Sequence, residues 1–141
     1  MNRVVLVSHG SLAEGMQSAI QMILNRSEGV SAFGLDRYGD PEEVLRLVRG
    51  LVDQGPGDTF AVLCDIKGGS VHSQMVQLLG RSNLYLFTGM NLSMALELAT
   101  AEAFDQETVD RVLALSQANI GCIGPQTVLS ELEQEEEGVL W

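Results

Sequence analysis

Apolar residues along this chain alternate between two patterns: short unbroken runs, and stretches where they recur every three or four positions. Arg3 to Ser8, with Val4-Val5-Leu6-Val7 inside it, is a run of the first kind and predicts a central strand buried on both faces. After Gly10-Ser11, the spacing of Leu12, Met16, Ala19, Ile20, Ile23 and Leu24 predicts a helix ending near Asn25. Ser31 to Leu35 reads as a weaker second strand. Asp40-Pro41-Glu42-Glu43 then starts a helix, with Asp as N-cap, Pro at the first helical position and Val44, Leu45, Val48, Leu51 and Val52 as its buried stripe. Gly55-Pro56-Gly57 stops it. Asp58 to Asp65 is a third strand, followed by a glycine pair and a helix through Met75, Leu78 and Leu79. Asn83 to Thr88 predicts a fourth strand, Met94 to Ala103 and Glu107 to Ala118 two helices, and Asn119 to Gly124 a short fifth strand ended by Pro125.

Strands alternating with helices at this spacing imply an α/β fold with an open, mostly parallel sheet, right-handed crossovers and helices on both faces. The default order is 2-1-3-4, in which the chain switches direction between strands one and three. The C-terminal ends of those two strands then lie side by side, which is where open α/β sheets collect ligands. His9 follows the first strand and Asp65 ends the third, so two residues distant in sequence are expected to meet there.

A chain of 141 residues, 45% hydrophobic and 5% aromatic, suffices for one aliphatic core. Its formal net charge of -11 argues against nucleic acid as the main partner, because phosphate backbones demand concentrated Lys and Arg. Five acids, Glu131, Glu133, Glu135, Glu136 and Glu137, crowd the C-terminal stretch, which reads as a solvated face or a partly ordered end. Residues 1–124 are therefore expected to form the functional domain and 125–141 an acidic tail. Cys64 and Cys122 lack the spacing of a metal pair or a disulfide framework, and buried packing is expected for both. With no signal-peptide layout and no apolar run near the roughly 20 residues that span a bilayer, a cytoplasmic protein is expected.

Imidazole is the side chain best suited to carry a proton or phosphoryl group near neutral pH, and it attacks through one nitrogen only when the other holds the proton. A carboxylate at Asp65 would fix that tautomer and support the positive charge that develops. The segment Asp65-Ile66-Lys67-Gly68-Gly69-Ser70 adds a close-approach backbone at Gly68 and Gly69, a hydroxyl at Ser70 and a helix start, a combination suited to an anion. An ordinary strand-to-helix turn is the plainer reading of the glycine pair. Lys67 reads either as a solvated loop lysine or as a charge that steers an anionic donor. His72 reads as a helix-surface or packing residue, and the methionines as core fillers or contacts for a docking protein.

The strand ending in Ser8-His9-Gly10, the later Asp65-x-x-Gly68-Gly69-Ser70 and the segment Gly89-Met90-Asn91-Leu92-Ser93-Met94 together resemble the IIA component of the mannose-type family of the bacterial sugar phosphotransferase system. The likeness spans about residues 1 to 120. It implies a phosphotransferase of the phosphocarrier kind: His9 would accept a phosphoryl group from the phosphohistidine protein HPr and pass it to a separate IIB protein, with Asp65 orienting the ring. Membrane IIC and IID components would be served indirectly. Neither metal nor cofactor is needed. The resemblance also implies a homodimer in which a C-terminal strand is exchanged as an antiparallel edge, and Asn119 to Gly124 is the expected strand. Two departures stand out: Val71 where many relatives carry Pro, and a tail beyond Gly124 that does not follow the family pattern.

Other functions meet specific obstacles. A receiver domain would need acidic residues where Ser8-His9-Gly10 stands, and a flavodoxin would need a hydroxyl-rich loop after the first strand and aromatics around the flavin. A phosphohistidine-type phosphatase is the most serious enzyme competitor, but it would usually bring an Arg beside the nucleophile and a second catalytic histidine. Within the same chemistry, the phosphocarrier subunit of a phosphotransferase-dependent dihydroxyacetone kinase is the nearest alternative.

Overall fold

The structure is a computed structural model that describes residues 1–136. Four strands, β1 (Asn2–Ser8), β2 (Val30–Gly34), β3 (Thr59–Cys64) and β4 (Leu84–Phe87), form one sheet in the order β2-β1-β3-β4, and every pairing is parallel. Helices α1 (Leu12–Leu24), α2 (Leu35–Tyr38), α3 (Pro41–Gln54), α4 (Ser70–Met75), α5 (Leu92–Thr100), α6 (Gln106–Ala118) and α7 (Leu129–Glu136) fill the intervals and the C-terminal end. A single 3-10 turn, Val76–Leu78, extends α4.

The unbroken apolar runs of β1 and β3 follow from burial on both faces, and their side chains divide strictly by parity. Val4, Leu6, Ala61 and Leu63 share a core with Ala13 and Ile20 of α1, Leu98 of α5 and Val112 of α6. Val5, Val7, Phe60, Val62 and Cys64 pack on the other face against Val44 and Val48 of α3 and Met75 of α4. The expected sheet order and the two helical layers are therefore both present.

Local chemistry sets the element ends. Asp40 caps α3, its Oδ1 accepting from the Glu43 N–H at 2.8 Å, with Pro41 at the first helical position as expected. Asn25 ends α1 in the left-handed conformation at φ 55°. Most predicted boundaries move by one to three residues: the second strand starts at Val30 and ends at Gly34, and α5 runs Leu92–Thr100 instead of reaching Ala103.

Three differences are larger. The one-turn helix α2 was not predicted. Asn119 to Gly124, expected as a fifth, antiparallel edge strand, adopts no strand conformation; the chain leaves α6 and runs on as irregular backbone with Ile120 and Ile123 in solvent. A strand needs a partner for its backbone hydrogen bonds, and no described strand of the same chain pairs with this segment. Part of the expected tail, finally, is the helix α7. Glu137 of the acidic stretch lies outside the described residues.

Candidate functional site

β1 and β3 pair directly, Val7 opposite Cys64, so their C-terminal ends deliver Ser8-His9 and Asp65 to the same rim of the sheet. Ser8 is fully buried, and its Oγ accepts from the Ala13 N–H at 2.7 Å. That bond satisfies a first-turn donor of α1, which Ser11 at the N-cap leaves without a side-chain partner. His9 is thereby held between a rigid strand and a tied helix start. Gly10 turns the chain at φ +52°, and its carbonyl accepts from the Asp36 N–H of α2 at 3.1 Å.

The side chains of His9 and Asp65 meet closely. Asp65 Oδ2 accepts from the His9 backbone N–H at 2.8 Å and from ring Nδ1 at 2.9 Å, while Oδ1 accepts from the Ile66 N–H at 2.9 Å. Because a carboxylate only accepts, Nδ1 carries the proton and Nε2 keeps its lone pair. Burial pushes the Asp65 carboxyl up, but the two His9 hydrogen bonds and that from Ile66 outweigh it and hold the carboxyl below its ordinary value. The His9 side chain is 45% exposed and that of Asp65 only 6%, so an accessible imidazole stands on a nearly buried anion. Beside Asp65, burial and then the nearby carboxylate push the Cys64 thiol up to about 12, which makes it an inert core residue. Cys122, by contrast, is exposed and not buried as expected.

Nε2 of His9 faces Ser70 Oγ at 3.2 Å. Ser70 opens α4, and Gly69 is its N-cap with no side chain to satisfy the first-turn N–H groups. A Cβ at Gly69 would stand 3.2 Å from His9 Cε1, so the glycine lets the backbone approach the ring. Gly68 turns the loop at φ +81°. The N–H groups of both glycines already have acceptors: that of Gly68 reaches His72 Nδ1 at 3.0 Å, and that of Gly69 reaches the Ile66 carbonyl at 3.3 Å. Lys67 is exposed on the same loop.

The structure thus brings His9, Asp65, Gly69 and Ser70 into contact, and keeps Lys67 and Gly68 on the same turn without a contact to the ring. Among the described residues, no group of three or more His, Cys, Asp or Glu gathers to hold a metal ion, and no helix is long and apolar enough to cross a membrane. Two apolar side chains on this rim, Leu12 and Ile66, lie 50% and 60% exposed.

A family model described as the fructose IIA component of the phosphotransferase system matches residues 3–116, a span holding all of the sheet but Asn2 and every residue of the site. The chain belongs to this family. Solved structures agree with the fold. The phosphotransferase component EIIA from Streptococcus agalactiae superposes with a TM-score of 0.76 at 22% identity, covering 86% of this chain and 97% of that one. The mannose/sorbose specific IIA subunit from Enterococcus faecalis gives 0.73 at 22%, covering 90% and 98%. A putative phosphoenolpyruvate-dependent sugar phosphotransferase system permease from Klebsiella pneumoniae gives 0.72 at 26%, covering 86% and 90%. This IIA component is accordingly a phosphoryl-transfer protein of sugar transport.

Four contributors to the site of this IIA component escaped the sequence reading. Glu14, in the first turn of α1, accepts from the Gly34 N–H through Oε2 at 3.1 Å, while its buried Oε1 has no partner among the described residues. Gly34 must be glycine, because a Cβ there would overlap both the Glu14 carboxylate and the Gly10 carbonyl. The backbone bond from Asp36 and the ring of His72 complete the set. Only His72 had a signal in the sequence: a polar ring at the third position of a helix whose cap is a glycine.

Proposed function

We propose that this IIA component accepts a phosphoryl group on His9 Nε2 from the phosphohistidine of HPr and donates it to a separate IIB protein. The observation that carries the reading is the Nδ1–Asp65 hydrogen bond of 2.9 Å on a half-exposed ring, which leaves the lone pair on the nitrogen open to a partner. In the forward step this lone pair attacks phosphorus and forms a new N–P bond. The donor's N–P bond breaks, its electron pair returns to the donor imidazole, and the proton on His9 Nδ1 stays with its bond to Asp65. Transfer onward to IIB is the same step with His9 as the leaving group.

The Ser70 hydroxyl and N–H are the donors placed for the phosphoryl oxygens. Gly68 and Gly69 serve by shape, since their own N–H groups are already engaged, and Lys67 contributes positive charge for an anionic donor. Exposed Leu12 and Ile66 give a protein partner apolar contact around the ring. The chain is further proposed to form a homodimer, with Asn119 to Gly124 pairing along the free edge of β4 in a second copy. The unpaired segment with exposed Ile120 and Ile123 supports this.

Incubation with enzyme I, HPr and phosphoenolpyruvate tests the central proposal. It should add one acid-labile phosphate per chain, mapped to His9, and His9→Ala should abolish the label. Phosphate retained in that variant, or mapped to His72, removes His9 from the role. Phosphate released to water without IIB would select the phosphatase alternative, and faster transfer to a dihydroxyacetone kinase subunit than to IIB would select the kinase alternative.

A further inference from the structure

We propose that His72 is a positioning residue whose Nδ1 latches the Gly68 N–H and so holds the Gly68–Gly69 turn against the His9 ring. As a step in phosphoryl transfer the inference rests on the phosphocarrier reading; as a structural statement it stands separately.

Three bonds fix the path between Asp65 and Ser70. The Ile66 N–H is held by Asp65 Oδ1 at 2.9 Å, the Gly69 N–H by the Ile66 carbonyl at 3.3 Å, and the Gly68 N–H by His72 Nδ1 at 3.0 Å. The middle of this turn is the part most in need of a tether. Gly68, at φ +81°, and Gly69 carry no side chains, and glycine moves between backbone basins at little cost. In an ordinary capping box, the side chain at the third helical position reaches back to the N-cap N–H. Here His72 occupies that third position of α4 and reaches one residue further, to the N–H ahead of the cap.

The geometry also assigns the ring its tautomer. Nδ1 of His72 accepts, so its proton lies on Nε2, the reverse of His9. The two histidines meet the same turn at neighbouring residues, His72 at the Gly68 N–H and His9 at Gly69. The latch matters because Gly69 stands against His9 Cε1 and Ser70 Oγ lies 3.2 Å from Nε2, so a turn that relaxes carries the hydroxyl away from the reacting nitrogen.

The decisive variants are His72→Phe, which keeps a ring and loses the acceptor, and His72→Asn, whose carbonyl oxygen takes up the Nδ1 position. His72→Leu is the second acceptor-free variant should His72→Phe lower the melting temperature. Three readouts apply to wild type and variants alike: Gly68 amide hydrogen exchange, 15N shifts of the His9 ring, and the single-turnover rate of phosphoryl uptake from phosphorylated HPr. Loss of one hydrogen bond of ordinary net strength predicts Gly68 exchange faster by about fivefold to tenfold and uptake slower by a similar factor in the acceptor-free protein, with His72→Asn within about twofold of wild type.

Wild-type exchange and uptake in both acceptor-free variants overturn the proposal, as does His72→Asn behaving like His72→Phe. If wild type itself takes up no phosphoryl group, the phosphocarrier reading fails instead. Gly68 exchange and the His9 ring shifts then still decide the latch.

Discussion

Asp65 meets His9 through a single oxygen that accepts from both its backbone and its ring, so one carboxylate fixes the residue's position and its tautomer together. Asp65→Asn keeps the shape and removes the charge. It should slow phosphoryl uptake about ten- to a hundredfold, the rate equivalent of one hydrogen bond to a charged group at about 1.5–3 kcal/mol, and single-turnover kinetics would measure it. The same substitution has a signature in acid. Since the folded protein holds the Asp65 carboxyl below its ordinary value, its contribution to stability is complete above that value, near about 3.9, and is lost as pH falls through the lower folded one. Denaturant unfolding of wild type and Asp65→Asn should therefore give a difference that is constant at neutral pH and shrinks below about pH 4. His9 and Asp65 were legible in the sequence because each ends an apolar run, and strand order alone brings such ends together. The bonds accepted by His72 and Glu14 were not: the first depends on the path of a loop whose turn lies in glycine dihedrals, and the second on how α1 packs against the end of β2.

Elements position the site through two contacts that neither helix nor strand makes alone. The Ser8 hydroxyl satisfies the Ala13 N–H inside the core, so Ser8→Ala strands a buried donor and should cost about 1–3 kcal/mol in unfolding free energy. Gly34→Ala drives a methyl group into the Glu14 carboxylate and the Gly10 carbonyl. Calorimetry should find it destabilised by about 1–3 kcal/mol, the usual cost of overpacking, and phosphoryl uptake should also fall because Gly10 adjoins His9. The long elements were readable because the central strands are unbroken apolar runs and the helices bury a stripe that recurs with a period of 3.6. α2 was missed for the converse reason: one helical turn has no room for a period. Asn119 to Gly124 was read as a strand from its apolar residues, and apolar content at a chain's end cannot say whether a neighbour exists to pair with it.

At the scale of the whole molecule, β4 leaves one edge of the sheet without a strand among the described residues, and the segment after α6 exposes apolar side chains that the described residues do not cover. Pairing these two features between copies predicts sedimentation at twice the chain's mass at low micromolar concentration, and a shift to monomer when Ile120→Asp and Ile123→Asp are combined. A wild-type monomer under those conditions removes the exchange. The sheet order, both helical layers and the location of the rim could be anticipated because parallel crossovers allow few topologies. The proposed dimer rests on a second chain, which no single-chain pattern encodes.

The direct pairing of β1 with β3 has one further consequence, in time. His9 leaves the ribosome well ahead of its partners, which arrive only with Asp65 and Ser70, after α1, β2 and α3 have been made. At about 5–20 residues per second, the histidine spends several seconds exposed with neither its tautomer set nor a turn beside it. A nascent chain ending short of Ser70 therefore carries the histidine without the site, and competence for the proposed transfer begins only with the closing of the β1–β3 crossover.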